Sequence, residues 1–124
     1  MHELGIANSL LQLAREEAQR HPGARIRRLR VRIGELSGVN ADALSFGFEV
    51  LARDSGLTGL TLDIEYAPRQ QHCPACDHTF VVRDYDITCP ACGAAETKFA
   101  SGDELEVVSL EMDDDRSTVT TQSA

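Results

Sequence analysis

Four cysteines in two pairs are the residues whose spacing speaks most directly of chemistry. They stand as Cys73-Pro74-Ala75-Cys76 and, twelve residues on, Cys89-Pro90-Ala91-Cys92-Gly93. Two residues between cysteines let both sulfurs of a tight turn face one ion. Two such turns complete a tetrahedron of thiolates, the donor set of closed structural zinc sites. Glycine after the second pair suits the left-handed turn such a knuckle needs. Four protein ligands leave no open position. Zn(II) held by Cys73, Cys76, Cys89 and Cys92 is therefore expected to be structural, with its binding free energy acting as folding free energy. Iron in the same thiolates and a dithiol redox pair are the alternatives. Redox motifs ordinarily stand alone near a βαβ unit, whereas here two motifs share one short module.

A second set of donors opens the chain. The α-amine of Met1 with the backbone nitrogen and imidazole of His2 can close two fused rings on one metal. Glu3 can add a fourth donor, from its backbone nitrogen or its carboxylate. Nitrogen donors in a tetragonal plane suit Ni(II) or Cu(II) better than zinc. The same residues also have bland readings, His2 as an exposed terminal side chain and Glu3 as a carboxylate favoured at a helix start.

The elements that must position these donors follow from periodicity. Ala7, Leu10, Leu11, Ala14 and Ala18 recur at helical spacing between Leu4 and Arg20, and His21-Pro22-Gly23 ends that helix. Leu29, Val31 and Ile33 alternate with Arg28, Arg30 and Arg32, the period of a half-buried strand. Gly34-Glu35-Leu36-Ser37-Gly38 reads as a turn, and Asn40 caps a second helix through about Arg53, with Leu44, Phe48 and Leu51 inward. A second strand puts Leu60, Leu62, Ile64 and Tyr66 inward and Thr61, Asp63 and Glu65 outward. After Pro68 the composition changes. A short hairpin of Thr79–Val82 with Asp86–Thr88 is expected to hold the knuckles together. A last aliphatic strand, Glu104–Met112, then returns to the first sheet, its parity slipping between Leu105 and Val108 as at a bulge.

The expected organisation is α+β: two helices packed on a small three-stranded sheet, with an inserted zinc ribbon. Residues 1–68 plus 104–112 form the first domain, 69–103 the insertion, and 113–124 a disordered tail.

Composition narrows the partners. Of 124 residues, 42% are apolar and 26% charged, as in ordinary soluble domains, and the net charge is −8. A nucleic-acid reader carries a basic footprint, yet between His72 and Ala100 Arg83 and Lys98 face Asp77, Asp84, Asp86 and Glu96. Within the arginine run from Arg25 to Arg32, Arg28, Arg30 and Arg32 line one strand face and can be satisfied by Asp63 and Glu65 of a neighbouring strand without any nucleic acid. His21 suits a helix C-terminus, His72 and His78 are surface residues beside the first knuckle, and Glu35 is exposed structure rather than a catalyst. No run approaches the roughly 18–20 apolar residues of a membrane span, and Met1-His2-Glu3-Leu4 lacks the pattern of a secretory signal. A cytoplasmic location is expected, where cysteines serve as metal thiolates rather than disulfides.

Taken together the sequence resembles the HypA/HybF family of hydrogenase maturation nickel metallochaperones. The resemblance runs to about Met112. It is carried by Met1-His2-Glu3, Ile33-Gly34-Glu35-Leu36-Ser37-Gly38-Val39, Phe46 to Leu51, Leu60 to Pro68, both cysteine knuckles and the returning strand. It implies a nickel domain bearing an inserted zinc domain, with nickel at His2 assisted by Met1 and Glu3, and zinc at the four cysteines. It also implies a hydrogenase maturation GTPase and a hydrogenase large-subunit precursor as partners, with urease maturation proteins as a further destination. No nucleophile–base pair or phosphate loop is present, so a nickel carrier is expected rather than an enzyme. A zinc-ribbon adaptor for nucleic acid or protein, and a dithiol oxidoreductase, are the rival classes.

Overall fold

The structure, a computed structural model, describes residues 2–57, 59–113 and 118–121. Its elements are α1 (Glu3–Arg20), β1 (Arg25–Gly34), α2 (Ala41–Asp54), β2 (Thr61–Ala67), β3 (Gln70–Cys73), β4 (His78–Val81), β5 (Lys98–Ser101), β6 (Leu105–Asp113) and β7 (Thr118–Thr121). They form two compact units. One comprises the chain up to Arg32, Gly38–Glu65 and the residues from Glu106 on; the other comprises Ile33–Ser37 and Tyr66–Leu105. The expected insertion, 69–103, lies inside the second unit, which also takes in 33–37. No described helix is long and apolar enough to cross a membrane.

In the first unit the helical spacing of Ala7, Leu10, Leu11 and Ala14 becomes the buried face of α1. Ala18 is only half-buried, and Glu17 is buried instead, its carboxylate held by Arg20 Nη1 at 2.7 Å. Helix α2 begins as expected at Asn40, whose Oδ1 accepts from the Ala43 N–H at 3.0 Å. It buries Leu44, Phe48 and Ala52, while Leu51 is half-buried. Gly47 lets the helices approach, since a Cβ there would lie 3.2 Å from Leu4 Cδ1. In the same unit Leu29 and Val31 of β1 and Leu110 and Met112 of β6 are buried. Each large side chain so buried stabilises the fold by roughly 1.5–3 kcal/mol.

The main sheet has the order β2-β1-β6-β7. The returning strand thus joins the first sheet, as expected, its place there beside β1, and β7 adds a fourth member. Residues 113–124 were expected to be disordered, but Thr118–Thr121 pair antiparallel with β6, Val119 opposite Met112. The β-branched run Thr118-Val119-Thr120-Thr121 suits a strand and covers an edge that β6 would otherwise present. The remainder of that segment, 114–117 and 122–124, lies outside the described residues.

The arginines of β1 are satisfied from both neighbours. Arg28 and Arg30 reach Asp63 at 3.7 and 3.5 Å, and Arg32 reaches Glu65 at 3.3 Å. From β6, Glu106 meets Arg32 at 2.7 Å and Glu111 meets Arg28 at 3.4 Å. Asp113 at the end of β6 also reaches Arg27, at 3.0 Å. Tyr66, expected inward, is exposed, and the nearby Glu35 carboxylate helps to raise its phenol pKa after the larger effect of removal from water.

The second unit has its own sheet, β4-β3-β5. The expected hairpin of 79–82 with 86–88 is reduced to one bridge, Arg83 to Asp86. The pairing goes instead to β3, with Phe80 opposite Gln71 on one side and Phe99 opposite Gln71 on the other. Its connection to 33–37 is made by backbone: Gly34 N to Glu104 O at 2.7 Å, Leu36 N to Gly102 O at 2.6 Å and Glu35 N to Ala67 O at 2.8 Å. Glu35 Oε1 also accepts from Arg69 N at 3.1 Å.

Gly34 is obligatory at this crossing, because a Cβ would coincide with the backbone carbonyl of Gly102, which cannot swing aside. Overpacking of this kind costs about 1–3 kcal/mol. Gly34→Ala is expected to lower the urea midpoint of the metal-loaded protein by a corresponding amount. Gly5→Ala, which meets nothing closer than the His2 Cβ at 3.9 Å, is expected to leave it unchanged or raised. Equal midpoints for Gly34→Ala and the parent would show that the crossing has room to relax.

Candidate metal centres

The two cysteine knuckles are built alike. Cys73 ends β3 and Cys76 lies in the turn before β4; Asp77 N donates back to Cys73 O at 2.8 Å. Gly93 N likewise donates to Cys89 O at 2.9 Å. The closing residue is left-handed in both, Asp77 at φ 62° and Gly93 at φ 80°. Aspartate tolerates that region better than most residues. Its carboxylate is engaged by His72 Nε2 at 3.0 Å, and His72 Nδ1 meets Thr79 Oγ1 at 2.9 Å. His72 and His78 are thus occupied outside the cysteine cluster, His78 stacking on Phe80 with ring centroids 6.2 Å apart.

The four Sγ atoms all lie within 4.8 Å of one another, with Cys73–Cys92 and Cys76–Cys89 each at 3.6 Å, and no disulfide joins them. Ligands about 2.3 Å from a central ion at tetrahedral angles lie roughly 3.8 Å apart, so these sulfurs fit a tetrahedral metal. The electrostatics fit as well. Burial pushes Cys89 up, but the backbone N–H groups of Cys92 and Ala91, with the thiols of Cys76 and Cys73, outweigh it and bring the thiol down to about 6. Removal from water and the neighbouring thiols push Cys76 up to about 12. Without a cation, then, the surroundings favour the thiolate at Cys89 and the protonated thiol at Cys76 and Cys92. Four thiolates at this spacing require a cation.

The cluster is the larger part of what the second unit buries. Cys73 and Cys89 pack with Phe80 and Val82, with Ile87 and Ala94 at the margin. A polar bridge that the sequence pattern does not disclose crosses this core: Gln71 Nε2 donates to Thr97 Oγ1 at 3.1 Å, and that hydroxyl donates to Ile87 O at 2.6 Å. Only the pairing of β3 with β5 brings Gln71 and Thr97 together.

The donors at the start of the chain belong to the first unit. Met1 lies outside the described residues. His2 is the N-cap residue of α1. Its carbonyl accepts from Ile6 N at 3.1 Å, while its exposed side chain makes no capping bond. Glu3 turns the other way, its Oε2 accepting from the backbone N–H of Asn40 at 3.1 Å. That bond, foremost, holds the Glu3 carboxyl below its ordinary range. A capping box would satisfy the N-cap N–H with a carboxylate three residues into the same helix, but that residue here is Ala43. Glu3 of α1 supplies the missing acceptor to α2. The absence of an acid at position 43 was the available signal, though nothing in it named Glu3.

A family model described as hydrogenase/urease nickel incorporation, metallochaperone, hypA, matches residues 1–112. The chain is 43% identical over 116 residues to the hydrogenase maturation factor HypA of Roseiflexus sp. (strain RS-1), covering 93% of this chain and 94% of that one. It is 40% identical over 113 residues to its counterpart from Alkalilimnicola ehrlichii, covering 91% and 100%. Among solved structures it is similar to the solution structure of the Ni metallochaperone HypA from Helicobacter pylori. There the identity is 29%, the TM-score 0.60, and the coverage 93% of this chain and 100% of that one.

The thiol environment sets a direction for acid. The fold favours the charged form of Cys89, so its contribution is present above the ordinary thiol range and is lost as pH falls through about 6. Cys76 runs the other way and favours its protonated form until pH approaches about 12, unless a cation is bound. Metal retention measured by elemental analysis after equilibration is therefore expected to hold at neutral pH and to fall on acidification, as protons compete for the thiolates. Stripping the metal with a chelator, or Cys76→Ser, is expected to abolish the amide protection of β3, β4 and β5 while α1 and α2 keep theirs. Intact protection of the three strands in metal-free protein would show that the second unit folds without an ion.

Proposed function

Since the chain belongs to the HypA family of hydrogenase and urease nickel-incorporation metallochaperones, we propose that it carries Ni(II) at its N-terminus and delivers it during maturation of [NiFe] hydrogenase. The observation that carries this reading is the His2 imidazole, exposed and free of any capping bond, at the start of α1 in a chain matched from residue 1 by the family. Met1 and His2 supply amine, backbone and imidazole nitrogens. Because the Glu3 carboxylate is engaged by Asn40, we assign Glu3's part to its backbone nitrogen, with the side chain steadying the site. These nitrogens in a plane suit Ni(II).

In the same reading Cys73, Cys76, Cys89 and Cys92 hold one structural Zn(II), supported by the sulfur spacing and by a donor set typical of closed zinc sites. The nickel-binding domain is then 1–68 plus 104–112, and the zinc ribbon 69–103. The division of labour is chemical. Cargo needs exposed ligands that a recipient can displace, whereas the ribbon needs a closed set that persists. The protein is then a carrier and not an enzyme. Its partners are a hydrogenase maturation GTPase and the hydrogenase large-subunit precursor, with urease maturation proteins as a second route. Reduced thiols that must bind metal favour the cytoplasm.

Calorimetric titration of zinc-loaded protein with Ni(II), beside His2→Ala, tests the site. Binding in the parent and its loss in the variant, with zinc retained in both, is expected. Protons compete for the amine and the imidazole, so affinity is also expected to fall between neutral pH and pH 5.5. Equal nickel binding by the two proteins would move the site away from His2.

A further inference from the structure

Each cysteine knuckle has one buried ligand and one exposed one. Cys73 and Cys89, the first of each pair, are buried; Cys76 and Cys92, the second, are exposed. Solvent and any competing chelator therefore reach the site at Cys76 and Cys92. How long a bound ion persists then depends on how firmly Cys73 and Cys89 are held at their mutual distance. The two come from separate segments. Cys73 ends β3, whereas Cys89 follows the bridge of Arg83 to Asp86 and lies in no strand of that sheet. Gly93 N to Cys89 O at 2.9 Å and Cys89 N to Ala94 O at 3.0 Å close the second knuckle on itself.

A side-chain relay joins the two segments. Gln71 is two residues before Cys73 and shares its buried face of β3, and Ile87 is two residues before Cys89. Gln71 Nε2 donates to Thr97 Oγ1 at 3.1 Å, and Thr97 Oγ1 donates to Ile87 O at 2.6 Å. Gln71 is 3% exposed, so its bond is shielded from water and correspondingly strong. Its other amide atom, Oε1, is buried and has no hydrogen-bond partner among the described residues. A buried acceptor left so costs stability that a leucine would not, so packing alone does not account for an amide here.

We propose that Gln71 and Thr97 are positioning residues for the metal: they fix the segments bearing Cys73 and Cys89 against each other and so set how slowly the ribbon gives up its zinc. The inference rests on the structural-zinc reading above and deepens it. While the relay stands, a ligand lost at Cys76 or Cys92 leaves two sulfurs that cannot separate, and the exposed thiolate returns before a second one departs. Affinity order alone does not keep Ni(II) out of a zinc site, so a chain that handles both metals depends on a site of fixed geometry.

The test challenges the zinc-loaded full chain with an excess of a chromophoric chelator and reads the rate of zinc loss. Gln71→Leu leaves Thr97 bonded to Ile87 O, so it cuts the relay without orphaning a buried group. Loss is expected to be roughly tenfold faster or more, as when groups that orient metal ligands are removed. Thr97→Val, which keeps the shape and removes the hydroxyl, is expected to do the same, and Thr97→Ser, which keeps the hydroxyl, to restore the parental rate. Each change cuts one relay, so the double variant Gln71→Leu/Thr97→Val is expected to lose zinc no faster than the faster single variant. The Co(II)-substituted proteins supply a readout of ligand geometry. Their visible d–d bands are expected to shift in Gln71→Leu and Thr97→Val and to coincide with the parent's in Thr97→Ser. A parental rate in Gln71→Leu would overturn the proposal, and so would equal acceleration by Thr97→Val and Thr97→Ser. Failure of Thr97→Val to take up zinc while Thr97→Ser does would be the expected effect at its limit; failure of both would overturn it. A parent that holds no zinc would instead strike the zinc reading, and elemental analysis of the starting protein separates the two.

Discussion

Four sulfur atoms gathered within 4.8 Å are the constraint on which the second unit depends. Its cysteine knuckles, its sheet and its small core all converge there. Phe80, Val82, Ile87 and Ala94 supply too little apolar area to hold such a module by burial alone, and small domains of that kind ordinarily borrow stability from a metal or a disulfide. The sulfurs are not joined as disulfides, and mutual repulsion of four thiolates disfavours an empty, fully ionised cluster. A tetrahedral cation resolves both. Each knuckle contributes by returning a backbone N–H to its first cysteine carbonyl, which closes the turn while the sulfurs face inward.

The other donors sit under the opposite rule. At the start of α1 the backbone of His2 is committed to the helix while its ring is left free. Glu3 is committed too, but to a different helix: it accepts the N-cap N–H of α2 and thereby ties the two helix starts together. The negative charge of that carboxylate is also favoured by the positive end of the α2 dipole. The first unit thus leaves the His2 side chain exposed at the start of an ordered helix.

The arginines of β1 illustrate how an acidic chain handles local positive charge. Each strand beside β1 contributes carboxylates, Asp63 and Glu65 from β2 and Glu106 and Glu111 from β6, so the basic stripe is neutralised within its own sheet. These pairs are partly exposed and contribute little individually to stability. Their greater effect is on recognition, because a phosphate backbone meets carboxylates wherever it meets these arginines.

Much of this was determined by the sequence alone. Helical and strand periods placed α1, β1, α2, β2 and β6, Asn40 announced its helix, and the cysteine spacing picked out the four residues whose sulfurs converge, because each of these signals is local. The exceptions arise where a distant residue decides. The knuckles were visible while their sheet was not: β3 and β5 carry too few residues for a period and are defined by pairing across the chain. Likewise, no local pattern says that Gly34 must accommodate Gly102, that Glu3 caps α2, or that Gln71 bridges to Thr97. Those are decisions of tertiary structure, made when folding brings remote backbone groups into a space where each must find a partner or give way.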